Sequence, residues 1–121
     1  MTPRQFLSGL RGVFGFPATP FRKDLSLDLD ALHRLSDDEV AEALTKVKGI
    51  GRWSADMFLM FRLHRPDVLP VGDLGIVTAI RKSYKLRKVP TADRMRQIAE
   101  AWRPYRSVAC WYLWRSLENE P

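Results

Sequence analysis

Asp73 is the residue in this sequence whose type and setting best suit it for chemistry. It ends a loop rich in proline and glycine, Pro70-Val-Gly-Asp73, and it precedes a helical apolar pattern that includes Ile76. A rigid carboxylate at such a position can stabilise a developing positive charge, and it can orient or deprotonate an attacking water. The simpler interpretation is an N-cap, the commoner role of an aspartate at this position. Both roles are compatible, because a helix N-terminus holds a capping carboxylate in place and keeps it charged.

A second candidate site is the glycine-containing turn between two predicted helices, at residues 44–55. Gly49 and Gly51 let the backbone adopt left-handed angles and approach another molecule closely, while Ile50 plugs the turn onto the core. The helix after the turn directs its N–H groups outward, where they can bind a phosphate. Positive charge accompanies this helix end, from Lys46, Lys48 and Arg52. The bare turn leaves open an alternative, an ordinary antiparallel helix pair with a glycine cap.

Helical periodicity dominates the sequence from Leu25 onward. A capping box at 36–39 starts one helix, and residues 52–63 form another that is apolar on nearly every side, so we expect it to be central and buried. Further helices are predicted after Asp73, after a cap at Thr91, and at the C-terminal end, where Ser107 can cap the last one. No window alternates apolar and polar residues over the length of a strand. The predicted fold class is therefore all-α, a multi-helix bundle.

Composition sets the class of protein and of partner. Glycine and proline interrupt residues 1–24, which are predicted to form a loosely structured arm before one domain at 25–121. The net charge of +6 favours an anionic partner, nucleic acid first. Cys110, the single cysteine, is predicted to be a buried thiol. No stretch approaches the roughly 20 apolar residues that span a bilayer and no signal-peptide core is present, so we expect a cytoplasmic, nucleoid-associated location without membrane contact.

Three ordered motifs carry a resemblance that covers roughly residues 27–118. They are the hairpin at 44–55, the loop VLPVGDLGI at 68–76 and the segment WRPYRSVACWYLW at 102–114. Together they resemble the catalytic, C-terminal half of the helix-hairpin-helix DNA glycosylase superfamily, most closely its 3-methyladenine DNA glycosylase branch. The hairpin residues that the resemblance implies in DNA binding are Lys48, Gly49, Ile50, Gly51, Arg52 and Ser54.

The resemblance implies a chemistry and a partner. It implies that the protein hydrolyses the N-glycosidic bond of alkylated purines in base excision repair, with Asp73 as the catalytic carboxylate and with no cofactor. The implied partner is duplex DNA that contains damaged bases. No side-chain metal site is expected, and the hairpin backbone is the candidate position for a monovalent cation.

Two tryptophans extend the implied site. In members of the superfamily that also cleave the strand, the second residue after the last hairpin glycine is a lysine that forms a Schiff base with the sugar. Trp53 holds that position here, so the resemblance implies a monofunctional enzyme that hydrolyses with water. Trp53 and Trp114 match positions that line the base pocket, where an indole face attracts a cationic purine by roughly 1–2 kcal/mol. The alternative is an ordinary core position, which we favour for Trp102 and Trp111.

Other charged residues receive weaker assignments. The basic run at 81–88 can supply phosphate contacts, although such a run is more often a solvated face. The remaining aspartates considered fit solvent-facing or first-turn positions better: Asp37, Asp38, Asp56 and Asp93.

The superfamily resemblance also implies a missing part. Its members carry a further N-terminal half that contributes to the base pocket and to the wedge into DNA. The expected fold is therefore truncated relative to the full glycosylase, with a partial domain at 25–121. Two alternatives follow, a non-catalytic helix-hairpin-helix DNA-binding module that uses Asp73 only as a cap, and an inactive remnant of a glycosylase. We expect the last helix to need apolar cover, from self-association or from a complementing fragment.

Overall fold

The structure, a computed structural model, describes residues 28–118, so the predicted arm at 1–24 lies outside the described residues. Within this range the chain is helical and contains no strand, which confirms the all-α class. The elements are α1 Leu29–His33, α2 Asp37–Thr45, α3 Arg52–Phe61, α4 Leu74–Ser83, α5 Ala92–Ala99, a 3-10 turn Glu100–Trp102 and α6 Arg106–Glu118. The chain divides into two units, the first ending at His64 and the second starting at Arg65. This division was not predicted.

The first unit contains α1, α2 and α3. Ser36 and Glu39 form the predicted capping box, in which the Ser36 hydroxyl accepts from the Glu39 N–H and the Glu39 carboxylate accepts from the Ser36 N–H, both at 3.2 Å. α2 packs on α3, which the apolar spacing of both helices allows. Their buried side chains form the core of this unit, including Val40, Leu44, Phe58 and Leu59.

The expectation that α3 is buried on nearly every side is wrong. Trp53 and Phe61 are 40% and 52% exposed, although both are large and apolar. Asp56, expected at a solvent-facing or first-turn position, is instead only 2% exposed. Its burial is possible because the neighbouring Arg52, one turn earlier on α3, donates a hydrogen bond to the carboxylate. The buried face of α3 thus includes the acidic side chain of Asp56, whereas the rings of Trp53 and Phe61 are partly exposed to solvent.

The second unit contains α4, α5 and α6, with α4 packed on α6. Apolar residues from all three helices are buried, among them Ile80, Met95 and Cys110, so the predicted buried thiol is confirmed. α5 begins at the predicted cap Thr91, whose hydroxyl accepts from the Arg94 N–H at 3.1 Å. None of the described helices has the length and apolar character needed to cross a membrane.

Side chains tie the start of α6 to the loop that precedes α4. Asp67 accepts hydrogen bonds from Arg106 Nε at 2.8 Å and from the Arg106 N–H at 3.1 Å. The prediction that Ser107 caps α6 is wrong, since Ser107 lies inside the helix. Its hydroxyl donates to the Arg65 carbonyl at 2.7 Å and accepts from the Val68 N–H at 2.8 Å. Ser107 therefore fixes the loop instead of ending the helix.

The outer face of α6 carries exposed aromatic residues. Trp111, expected in the core, is 48% exposed, and its neighbour Tyr112 is exposed as well. Arg115 lies over the Trp111 ring at 5.3 Å from the centroid, a cation–π contact. The side of α6 that faces α4 is already covered, so these rings project from the other side of the helix.

Candidate functional site

Asp73 forms the N-cap of α4, as predicted. Its backbone is extended, with φ −83° and ψ 118°, and its carboxylate oxygen Oδ2 accepts a hydrogen bond from the Ile76 N–H at 2.9 Å. The loop before it turns tightly, because the Asp73 N–H donates to the Pro70 carbonyl at 3.0 Å. Pro70 itself is buried. The Pro/Gly loop therefore delivers the carboxylate to a defined place at the start of a helix.

Trp114 makes a second contact with the same carboxylate. Its indole Nε1–H donates to Asp73 Oδ2 at 2.8 Å, across 41 residues of sequence. The contact follows from the packing of α6 on α4, which brings the ring to the first turn of α4. Two donors on one oxygen hold the Asp73 side chain in a single orientation. The structure thus brings together two of the residues that the sequence singles out.

Gly75 is a residue of this candidate site that the sequence analysis missed. A Cβ placed on Gly75 would lie 3.1 Å from Asp73 Oδ2 and 3.1 Å from Trp114 Cδ1, closer than ordinary van der Waals contact. Only glycine at this position lets the indole reach the carboxylate without displacement. A signal was present, since glycine within a helix costs up to about 1 kcal/mol relative to alanine. A glycine two residues after the candidate carboxylate therefore calls for a structural reason.

The hairpin glycines differ from each other. Gly49 adopts the left-handed region with φ +93°, whereas Gly51 is extended with φ −94° and ψ −178°. The expectation of left-handed angles at both positions is wrong for Gly51, because an extended residue is what starts α3. No atom lies within 4 Å of a Cβ placed on Gly51. Gly49 thus makes the turn possible, and Gly51 leaves open space beside the helix start.

The remaining hairpin residues lie around this turn. The Ile50 N–H donates to the Val47 carbonyl at 3.1 Å, and the Ile50 side chain is half-buried. Lys48 is exposed, and Ser54 is half-buried in the first turn of α3. α3 begins without a side-chain cap from Gly51. This arrangement presents backbone and a lysine side chain to solvent at the start of a helix.

Arg52 is engaged with carboxylates of its own unit. Its Nε lies 3.0 Å from Asp56 Oδ1, and its Nη2 lies 3.5 Å from Asp38 Oδ1. Burial raises the pKa of Asp56 above its ordinary value, and the hydrogen bond and charge of Arg52 offset this only in part. The Arg52 charge is therefore partly neutralised by Asp38 and Asp56 of its own unit. The exposed Lys46 and Lys48 give the turn its outward positive charge.

Trp53 lies in the first turn of α3, in the first unit, and Trp114 lies in the second unit. Trp53 carries no amine, so its side chain cannot form a Schiff base with a sugar. Among residues 28–118, no group of three or more His, Cys, Asp and Glu side chains could hold a metal ion.

The chain is similar to known DNA repair proteins. It is 45% identical over 83 residues to DNA-3-methyladenine glycosylase 1 of Schizosaccharomyces pombe, a match that covers 69% of this chain and 36% of that protein. Its fold matches the S. pombe 3-methyladenine DNA glycosylase solved in complex with abasic DNA, with a TM-score of 0.69 and 42% identity over 74% of this chain and 43% of that one. Over the matched regions, the chain is therefore similar in sequence and in fold to 3-methyladenine DNA glycosylases.

A second solved structure of this glycosylase family agrees. The DNA-3-methyladenine glycosidase from Bacillus halodurans matches with a TM-score of 0.65 and 41% identity, over 74% of this chain and 42% of that one. No protein-family model matches the chain. The chain spans about a third of the length of two curated glycosylases that it matches, 36% of one and 32% of the other.

Proposed function

We propose that this chain is a monofunctional DNA glycosylase that hydrolyses the N-glycosidic bond of alkylated purines in duplex DNA and so begins base excision repair. The observation that carries the proposal is the Asp73 carboxylate, fixed by the Ile76 N–H and the Trp114 indole in a chain similar to these glycosylases. The relatives named above are 3-methyladenine glycosylases, which supports the choice of substrate. The function places the chain at the nucleoid.

The chemistry needs a fixed negative charge next to the sugar. As the bond from C1′ to the base breaks, the base keeps the electron pair and positive charge develops on the sugar. An alkylated cationic purine leaves as a neutral molecule, so it needs no proton from the protein. Asp73 stabilises the sugar cation, orients a water and accepts its proton while the water oxygen bonds to C1′. Water and the Asp73 carboxylate account for every bond and proton of this step, so the step as proposed needs no cofactor.

Two tryptophans serve base recognition in this proposal. Because the N–H edge of Trp114 is bound to Asp73, its ring plane is fixed beside the carboxylate. A cationic purine stacked on that ring is attracted to the indole face and lies near the charge that assists its departure. Trp53, an exposed ring at the start of α3, is the second base contact. An indole in place of an amine supports hydrolysis without strand cleavage.

The hairpin supplies the contact to the DNA backbone. A phosphate is bound by the N-terminus of α3, where Gly51 leaves open space and Gly49 allows the tight turn. Lys48 adds charge, whereas Arg52 contributes less because it is paired with Asp56 and Asp38. Ile50 and Ser54 complete the contact, one as the plug beneath the turn and the other in the first turn of the helix. The S. pombe neighbour was solved with abasic DNA, which supports this partner.

The test measures abasic sites formed in duplex DNA that contains an alkylated purine, for the wild type and for Asp73→Asn. Asparagine caps a helix as well as aspartate and has the same size, so the variant should fold. Loss of the charge should slow excision by roughly 10²–10³-fold, as for other fixed electrostatic groups. Asp93→Asn, a matched change of an exposed first-turn carboxylate on α5, should leave excision unchanged. Full activity in Asp73→Asn would mean that Asp73 is only a cap.

A non-catalytic helix-hairpin-helix DNA-binding module is the second candidate. The observation in its favour is that Asp73 Oδ2 already accepts two hydrogen bonds within the fold, which suffices for a structural role. Under this alternative the wild type binds duplex DNA and forms no abasic sites. The same assay therefore separates the two functions.

The exposed face of α6 leads us to propose a further partner, a second copy of the chain or a complementing fragment. Trp111 and Tyr112 lie uncovered there, and each large apolar side chain left in water forgoes roughly 1.5–3 kcal/mol. We expect the purified chain to form dimers or larger species in solution, and Trp111→Ser with Tyr112→Ser to shift it toward the monomer. Mass measured by light scattering checks this. A stable wild-type monomer with full excision activity would contradict it.

A further inference from the structure

The turn after α4 forms an open, positively charged groove. The cavity has a volume of about 420 Å³ and lies along the C-terminal half of α4 and the segment that follows it. Of the eight described residues that line it, four are cations and none is acidic. The residues that matter here are Arg81, Lys82, Lys85 and Arg87, which carry the charge, and Val77 and Leu86, which are apolar.

Hydrogen bonds hold this turn in a defined shape. The Leu86 N–H donates to the Arg81 carbonyl at 2.9 Å, and Arg81 Nη2 donates to the Arg87 carbonyl at 3.1 Å. Lys85 adopts the left-handed region with φ +53°, which reverses the chain after α4. Tyr84 at the end of α4 contacts the Trp102 ring at 6.4 Å between centroids, which anchors the same corner. The cations are therefore presented by an ordered turn.

Residues 81–88 carry more positive charge than the helix dipole alone would favour. Residues 81–88 contain five of the 20 Lys and Arg residues of the chain and no acidic residue. Arg81 and Lys82 lie in the last turn of α4, where cations favour the negative end of the helix dipole. Lys85 and Arg87 lie beyond the helix end and gain little from that dipole. Concentrated cations repel each other, and a bound anion removes that repulsion.

We propose that this groove is a second contact to the DNA backbone, in which phosphodiester groups of one strand lie along the cations of 81–88. The proposal rests on the proposed function, which makes DNA the partner. An open groove with spaced cations fits an extended polyanion better than a small enclosed ion. Apolar Val77 and Leu86 suit the sugar carbons between phosphates. The contact strengthens binding to any sequence, because phosphates carry no base identity.

The experiment measures duplex DNA binding by fluorescence anisotropy across a range of salt concentrations, for the wild type and for Lys85→Gln with Arg87→Gln. Each phosphate contact contributes about 0.9 to the slope of log affinity against log salt, so the double variant should lose about 1.8 from that slope. The matched control, Arg62→Gln with Arg94→Gln, removes the same net charge at exposed positions outside the groove. It should change the slope far less. Equal slope changes in both double variants would overturn the proposal.

Further arms keep the result decisive. Should the double variant fail to fold, Arg87→Gln alone carries the test with a slope change of about 0.9, since the turn uses the Arg87 carbonyl and the substitution keeps it. Inorganic phosphate is titrated at constant ionic strength, and loss of the difference between wild type and variant at millimolar phosphate would mark a free-anion site and overturn the proposal. Excision is measured separately. If the wild type excises the base but the double variant has the same salt slope as the wild type, the groove proposal alone is refuted. If the double variant changes the slope but the wild type does not excise the base, the glycosylase function alone is refuted.

Discussion

The hairpin and the Asp73 loop both lead into a ten-residue helix, and they begin it in opposite ways. Gly51 has no side chain with which to close the start of α3, whereas Asp73 closes the start of α4 with its own carboxylate. The N–H groups at a helix start favour an anion in either case. Under the proposed function, the first helix start receives a phosphate of DNA, and the second holds a fixed carboxylate for the chemistry. In that proposal the same physical property serves binding in one unit and catalysis in the other.

The two units also treat buried charge in opposite ways. In the first unit one cation, Arg52, lies between two carboxylates, whereas in the second unit one carboxylate, Asp67, lies between Arg103 and Arg106. Burial raises the pKa of Asp56, and this effect is larger than the opposing effect of the Arg52 hydrogen bond and charge. Burial also tends to raise the pKa of Asp67, but the hydrogen bonds and charges of Arg106 and Arg103 outweigh it, so that this pKa lies below its ordinary value. Asp67 therefore stabilises the fold in its ionised form, whereas Asp56 is more easily buried in its protonated form.

The largest expected effect is therefore on stability, in Asp67→Asn. The guanidinium of Arg106, only 15% exposed, would lose its carboxylate, and we expect a loss of roughly 2–3 kcal/mol in the free energy of unfolding at neutral pH. The matched Asp56→Asn in the first unit should change it by less than about 1 kcal/mol, because removing a costly buried charge offsets the weakened bond to Arg52. Chemical denaturation of the three proteins measures both values.

Acid sharpens this contrast. A lowered pKa means that the stabilisation by Asp67 is present above the ordinary aspartate pKa of about 3.9 and is lost as the pH falls through the lower native value. A raised pKa means that Asp56 contributes with the opposite slope, so that stability falls as the pH rises through the higher native value. Between pH 6 and 3 the stability curve of Asp67→Asn should be flatter than that of the wild type, and the curve of Asp56→Asn steeper. Parallel curves would remove the distinction between the two carboxylates.

Substitutions at the two hairpin glycines test whether the start of α3 binds an anion through its backbone. Gly49→Ala should destabilise the protein by about 1–2 kcal/mol, because alanine resists the left-handed region. Gly51→Val should leave thermal unfolding nearly unchanged, since its φ is ordinary and its Cβ meets open space, and yet it should weaken DNA binding at least tenfold by blocking the partner. Thermal unfolding and anisotropy measure the two effects. If Gly51→Val bound DNA as the wild type does, α3 would not receive a phosphate at its N-terminus.

A small effect on stability is expected for Gly75→Ala, and this variant tests the side-chain contact between Trp114 and Asp73. A methyl group at 3.1 Å from Trp114 and from Asp73 Oδ2 should displace the indole by a few tenths of an ångström. Alanine is favoured over glycine within a helix by up to about 1 kcal/mol, which offsets part of the crowding, so the net change in unfolding should be small. Excision should nonetheless fall by about tenfold, or 1.4 kcal/mol in barrier, because positioning errors cost activity. Gly72→Ala, where the added Cβ meets open space, is the control, and equal excision in both variants would dissociate Gly75 from the site.

The sequence was sufficient for features that depend on local pattern. Helix type follows from 3.6-residue spacing, and the caps at Ser36, Asp73 and Thr91 follow from side chains that bond three residues ahead. The hairpin turn follows from its glycines. Each of these requires only residues within one or two turns of each other.

What the sequence could not supply depends on distant partners. The burial of Asp56 depends on where α2 packs and on the charge of Arg52, and the exposure of Trp111 depends on which side of α6 meets α4. Ser107 has the composition of a cap, but its partners Arg65 and Val68 lie about 40 residues away. The contact of Trp114 with Asp73, and with it the need for Gly75, appears only after α4 and α6 are packed.

The hydrogen bond from Trp114 to Asp73 also makes the candidate catalytic carboxylate visible to light. Indole emission responds to nearby charge, and here a carboxylate oxygen lies 2.8 Å from the ring nitrogen of one of four tryptophans. Replacing the other three with phenylalanine would leave a chromophore whose fluorescence follows the electric field at this one carboxylate. A damaged nucleotide that enters beside Asp73 would then shift the emission as it arrives, with no label on the DNA and before any bond is broken.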